Sequence, residues 1–159
     1  MSAAEHGQGE LASVGPAMGE ETVEIAALGE RLSALRLCEP DALLSMRRSL
    51  EQHGQLTPLV LYVEAGGLEI VDGFKRMRAA RVLGWPALRA HVDGGGSVEA
   101  KLRLRELHLG RGLTEIEEAW LVRSLYRDER MSQPQIAQRL GRDKSWVCRR
   151  LMLVESLDP

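Results

Sequence analysis

Ser132-Gln133-Pro134-Gln135-Ile136-Ala137-Gln138-Arg139-Leu140-Gly141-Arg142-Asp143-Lys144-Ser145-Trp146-Val147-Cys148-Arg149-Arg150-Leu151 is the stretch on which the reading of this 159-residue chain turns. Ser132 with Gln135 makes a capping box, and Pro134 falls in the first turn, where an amide needs no partner. Two helices that cross steeply need a small residue at the crossing, which Ala137 supplies. The tight turn between them needs a positive φ, which Gly141 supplies. Ile136, Leu140, Val147 and Leu151 give the shared apolar frame, and Asp143 is placed to cap the second helix. The spacing predicts a helix-turn-helix over 131–153, and such a unit lays its second helix in the major groove of double-stranded DNA. Lys144, Ser145 and Trp146 are then expected at the bases, with Arg149 one turn further on. Arg142, Arg150 and Gln133 are expected at phosphates. A helix-turn-helix can also serve only as a packing element.

Charge around this stretch points the same way. The formal net charge of -2 conceals an asymmetry: residues 1–30 hold six acids and no Lys or Arg, so the remainder carries 21 basic residues against 17 acids. From Arg139 to Arg150 there are five basic residues and one acid, Asp143. Local basicity is the footprint of a polyanion partner, although a solvated helix face has the same composition. Cys38 and Cys148 stand far apart, with neither metal-ligand spacing nor a disulfide framework, which fits a reducing compartment. No apolar run reaches the length of a membrane span, and the N-terminal stretch lacks the basic and apolar regions of a signal peptide. A cytoplasmic location is expected.

Upstream, residues 1–22 are rich in Gly, Ala, Ser and Glu without apolar period, as in a disordered acidic tail. The pattern then predicts a strand at 23–25, a strand or loop at 32–37, and a helix over 41–53 stopped by Gly54. Strands follow at 58–63 and 68–71 around a Gly66-Gly67 hairpin turn. A helix over 75–83 is broken by Gly84-Trp85-Pro86, and a strand over 87–92 follows. The run Asp93-Gly94-Gly95-Gly96 is the expected joint. Beyond it everything reads as helix: 98–109, then 114–129 opened by a Thr114/Glu117 capping box, then the helix-turn-helix. The fold class is α+β, with a small mixed-sheet subdomain over 23–96 and an all-helical DNA-binding subdomain over 97–159. No internal repeat is present.

Two upstream pieces suit a phosphate chain. Gly54-Gln55-Leu56-Thr57-Pro58 is a helix-to-strand loop with exposed amides and a hydroxyl. Asp72-Gly73-Phe74-Lys75-Arg76-Met77-Arg78-Ala79-Ala80 is a glycine turn feeding a basic helix start, where free backbone amides favour anions. A turn followed by a solvated basic face is the plainer reading, and Glu106 ahead of Arg111 is by itself ordinary helix-surface charge.

In order and spacing, these pieces together with Leu113-Thr114-Glu115-Ile116-Glu117-Glu118-Ala119 and the helix-turn-helix resemble the ParB family of chromosome and plasmid partition proteins. The resemblance runs over about residues 23–157. It implies an N-terminal nucleotide-binding subdomain of ParB type, CTP with magnesium as cofactor, a palindromic DNA site, self-association as a homodimer, and a nucleoid- or plasmid-associated location. Carried over residue by residue, it marks Gln55, Thr57, Gly73, Phe74, Lys75, Arg76, Arg78, Glu106 and Arg111 for the nucleotide, and Glu106 for the metal. Phe74 and Lys75 stand where the family has Glu and Arg. In the third box Leu107 stands for Asn and Gly110 for Arg, with Arg111 one place late. The family's usual C-terminal dimerisation domain has no counterpart in these residues.

The leading expectation is thus sequence-specific binding of double-stranded DNA, under CTP control, in partition, plasmid maintenance or transcriptional control. The alternative is a nucleotide-using enzyme, a CTPase or small-molecule kinase, with Glu106 as acid and the basic box on phosphates; that box is necessary for phosphoryl transfer and far from sufficient. A third reading, an adaptor recruiting partners through the tail or the 41–53 helix, is neither supported nor excluded.

Overall fold

The computed structural model describes residues 19–110 and 112–157. Most of the predicted tail, and Arg111, lie outside the described residues. A five-stranded mixed sheet has the order β1-β5-β3-β4-β2, with β1 at Glu21–Glu24, β2 at Leu28–Gly29, β3 at Leu59–Glu64, β4 at Gly67–Asp72 and β5 at Ala87–Asp93. β3 pairs antiparallel with β4 and parallel with β5, and β1 and β2 close the two edges. β5 shows the period of two that a half-covered strand requires: Leu88, Ala90 and Val92 are buried while Arg89 and His91 between them are not. Helices α1 (Pro40–His53) and α2 (Phe74–Val82) pack on each other, and α3 (Ser97–Leu107) lies against β3 and β4 through Ala100 and Leu104.

Two local readings shift. The segment predicted as strand or loop at 32–37 is a 3-10 helix, Arg31–Leu35, which buries Leu32 and Leu35 three residues apart. The hairpin turn sits one residue earlier than the glycine pair. Ala65 (φ 48°) and Gly66 (φ 81°) take its two central positions, and Gly67 already belongs to β4. A two-residue loop of this twist needs positive φ at both places, so Ala65 carries the strain.

The second half is α4 (Glu115–Arg127), α5 (Gln133–Leu140) and α6 (Lys144–Glu155). Both predicted capping boxes form, Thr114 with Glu117 and Ser132 with Gln135. Buried side chains run as one cluster from Val23 to Leu151, and α3 joins the two halves. Arg105 of α3 donates to the Leu140 carbonyl at 3.2 Å, and Glu99 pairs with Arg139 at 2.7 Å. The Glu117 carboxylate also reaches upstream, accepting from the Leu37 amide at 2.9 Å.

Candidate functional site

The α5–α6 pair is built as its residues require. Gly141 takes the left-handed conformation (φ 64°, ψ 37°) that ends α5, and Asp143 accepts from the Trp146 amide at 2.7 Å to start α6. Ile136, Ala137, Leu140, Val147 and Leu151 are buried between the helices and α4. This leaves Lys144, Ser145 and Arg149 exposed at the head and outer side of α6, with Arg142 exposed in the turn. Among the described residues Lys144 and Arg149 have no hydrogen-bond or ion-pair partner. Gln133 is half-buried at the start of α5. It lines an open groove with Tyr126, Arg130, Pro134 and Lys144.

Two residues assigned to DNA are turned inward. Trp146 is 7% exposed and does not face a groove. Its ring lies beneath the guanidinium groups of Arg150 at 4.9 Å and Arg142 at 5.2 Å. Arg150 is engaged within the chain: it spans to α4, holding Glu118 and Glu115 at 3.0 Å each. Both residues brace α6 on α4, and the outward charge is left to Lys144, Arg149 and Arg142.

The upstream cradle is a hollow of about 170 Å³ whose wall includes Arg36, Asp72, Lys75, Arg76, Arg78 and His108. Gly73 is required at its floor. It has φ 109°, and a Cβ there would stand 2.4 Å from Leu59 Cδ2. Phe74 is buried as the first residue of α2. Several of the predicted nucleotide residues are already engaged within the chain. The Gln55 amide donates to the Arg89 carbonyl at 2.8 Å and accepts from the Arg89 amide at 2.7 Å, so it clips the loop to β5. Arg76 donates to the carbonyls of Thr57 at 2.9 Å and Pro58 at 2.6 Å and pairs with Asp72 at 3.2 Å. Thr57 therefore enters through its carbonyl. Arg78 donates to Glu30 at 2.8 Å. Lys75 remains half-buried on the wall.

Glu106 is not brought to this cradle. Its side chain is 61% exposed, pairs with Arg103 at 3.4 Å, and lines a separate hollow with Asp93 and Glu99. Glu106 lies three positions after Arg103, so the pair lies along one side of α3. Among the described residues no cluster of three His, Cys, Asp or Glu stands close enough to hold a metal ion. Two residues that the sequence did not single out complete the cradle instead. His108 is oriented at both nitrogens, Nδ1 lying 2.7 Å from the Leu104 carbonyl and Nε2 3.5 Å from Asp72. Arg36 lies 3.5 Å from Glu117. Burial pushes the Glu117 carboxyl up, but the Leu37 and Thr114 amides, Arg36 and the Thr114 hydroxyl together hold it below the ordinary carboxylate value. No helix of the described residues is long and apolar enough to cross a membrane.

A five-stranded α+β unit with a glycine-and-arginine helix start, joined through α3 to the capped α5–α6 pair, defines a fold of partition-protein type. The model of the ParB N-terminal domain matches residues 11–104, and the chain belongs to that family. A nucleoid occlusion protein of Halalkalibacterium halodurans is 28% identical over 130 residues, 81% of this chain and 46% of its own length. The chain spans about half the length of the curated relatives it matches. Among solved structures, the C-terminally truncated chromosome-partitioning protein ParB from Caulobacter crescentus complexed with CTP-gamma-S superposes with a TM-score of 0.53 at 24% identity. That match covers 86% of this chain and 79% of that one. The same protein complexed to the centromeric parS site gives 0.51 at 22%, covering 84% and 71%. At these identities the likeness speaks for the fold.

Proposed function

We propose that this chain binds double-stranded DNA sequence-specifically through α6, that CTP in the Gly73 cradle controls this binding, and that two copies act together on a palindromic site. The observation that carries the DNA reading is the division of labour on α6. Trp146 and Arg150 are consumed in bracing the helix, while Lys144, Ser145 and Arg149 stand exposed at its head and outer side and have no partner among the described residues. An N-terminal head of this kind is what enters a major groove. Support for the nucleotide comes from the start of α2 at Gly73, which has no side-chain cap and lines the same hollow as Lys75 and Arg78. It comes also from the fold shared with a protein solved with CTP-gamma-S and with parS. Two copies are proposed because one helix-turn-helix buries too little surface for a tight specific complex. Partition, nucleoid organisation or transcriptional control are the processes such an activity serves. Nothing in the cradle favours the enzyme reading, because its proposed acid, Glu106, lines another hollow.

Selection of bound duplexes from random DNA, with and without CTP, tests the reading. A symmetric site whose occupancy changes with CTP is expected. Failure to enrich any sequence refutes specific DNA binding.

A further inference from the structure

Magnesium binds through oxygen ligands in near-octahedral geometry, with one or two carboxylates supplementing phosphates. The residues of this chain do not fit that requirement. Leu107 offers no oxygen on its side chain, and Glu106 lines a separate hollow with Asp93 and Glu99. The carboxylate that does reach the cradle, Asp72, is engaged by Arg76 on one oxygen and faces His108 with the other. What the cradle does contain is positive charge and N–H donors.

We propose that this chain holds the phosphates of its nucleotide without a divalent cation, on Lys75, Arg78 and the imidazole of His108. The inference rests on the nucleotide part of the function proposed above. The Leu104 carbonyl can only accept, so the hydrogen of that 2.7 Å contact sits on Nδ1 and fixes the ring. Nε2 is thereby aimed at Asp72 from 3.5 Å, longer than a formed hydrogen bond. A phosphate oxygen can replace Asp72 at that loose contact and share a proton with Nε2. The ring is only 14% exposed, so little water competes. Lys75 lies on the same wall, and the uncapped first amides of α2 add neutral donors. A hollow of about 170 Å³ accepts phosphate groups, while whole ligands occupy roughly 300–1,000 Å³.

The test is calorimetric titration of CTP into the full chain, once in EDTA and once in magnesium. Equal affinity in the two buffers, within about threefold, is expected. His108→Ala should weaken binding in EDTA by about tenfold or more, the size of one charge-assisted contact. Lys75→Ala should do the same, and it carries the test if the His108 variant does not fold. Leu107→Asn with Gly110→Arg should create a dependence on magnesium that the natural chain lacks. Binding that appears only with magnesium, or full affinity of His108→Ala in EDTA, overturns the proposal and leaves nucleotide binding standing. Absence of heat in both buffers, from protein that still selects a DNA site, overturns the nucleotide reading beneath it.

Discussion

Replacing Arg150 by Ala separates a brace from a DNA contact. Its side chain is 16% exposed, meets Glu118 and Glu115 at 3.0 Å each, and covers the Trp146 ring at 4.9 Å. The Glu115 contact contributes little, because that carboxylate is 69% exposed. Glu118, at 18%, loses the partner of a mostly buried charged hydrogen bond, at a cost of about 1.5–3 kcal/mol. The lost stacking on Trp146 adds about 0.5–1 kcal/mol. Arg150→Ala should therefore destabilise the chain by roughly 2–4 kcal/mol, seen in urea unfolding as a lower midpoint at unchanged slope. Arg149→Ala, at an exposed position with no partner among the described residues, should stay within about 0.5 kcal/mol of the parent. DNA titrations at several salt concentrations, under conditions where each variant is folded, should show the reverse order. Arg149→Ala should lose either base discrimination or about one unit of salt slope, and Arg150→Ala neither. An Arg150→Ala protein of parental stability whose salt slope falls by about one unit would refute the bracing argument.

Gly73→Ala should cost more than about 2 kcal/mol in chemical denaturation, because it combines a positive φ with a Cβ placed 2.4 Å from Leu59; trimming Leu59 as well should recover only the steric share. Ala65→Gly should stabilise the hairpin by about 0.5–1 kcal/mol, since it relieves the left-handed backbone at φ 48°; a lower unfolding midpoint would count against the turn assignment. The depressed Glu117 carboxyl contributes stability that is present above its ordinary value of 4.5 and is lost as pH falls through the lower folded value. Acid unfolding should accordingly steepen below about pH 4.5, and Glu117→Gln should be less stable at neutral pH with a flatter acid limb.

What was legible in the sequence was local. Ser132 with Gln135, Thr114 with Glu117, and Gly141 ahead of Asp143 each act within three residues, so their spacing alone carries the helix starts and the turn. The family boxes are local in the same sense, and they carried the fold. What could not be read was the second use of each polar residue. Gln55 and Arg89 are 34 positions apart, Arg76 and Thr57 are 19 apart, and Arg150 and Glu118 are 32 apart. An arginine in a basic box looks the same whether it awaits a phosphate or already holds two carbonyls. The same ambiguity hid Trp146, whose burial follows from the arginines stacked on it and the α4 carboxylates that position Arg150. His108 was illegible for a different reason: it stands beside the family positions that Leu107 and Gly110 fill, and only the folded end of α3 brings its imidazole to Asp72. Departures from a family pattern thus inform twice, through the ligand they remove and through the neighbouring side chain that lines the same hollow.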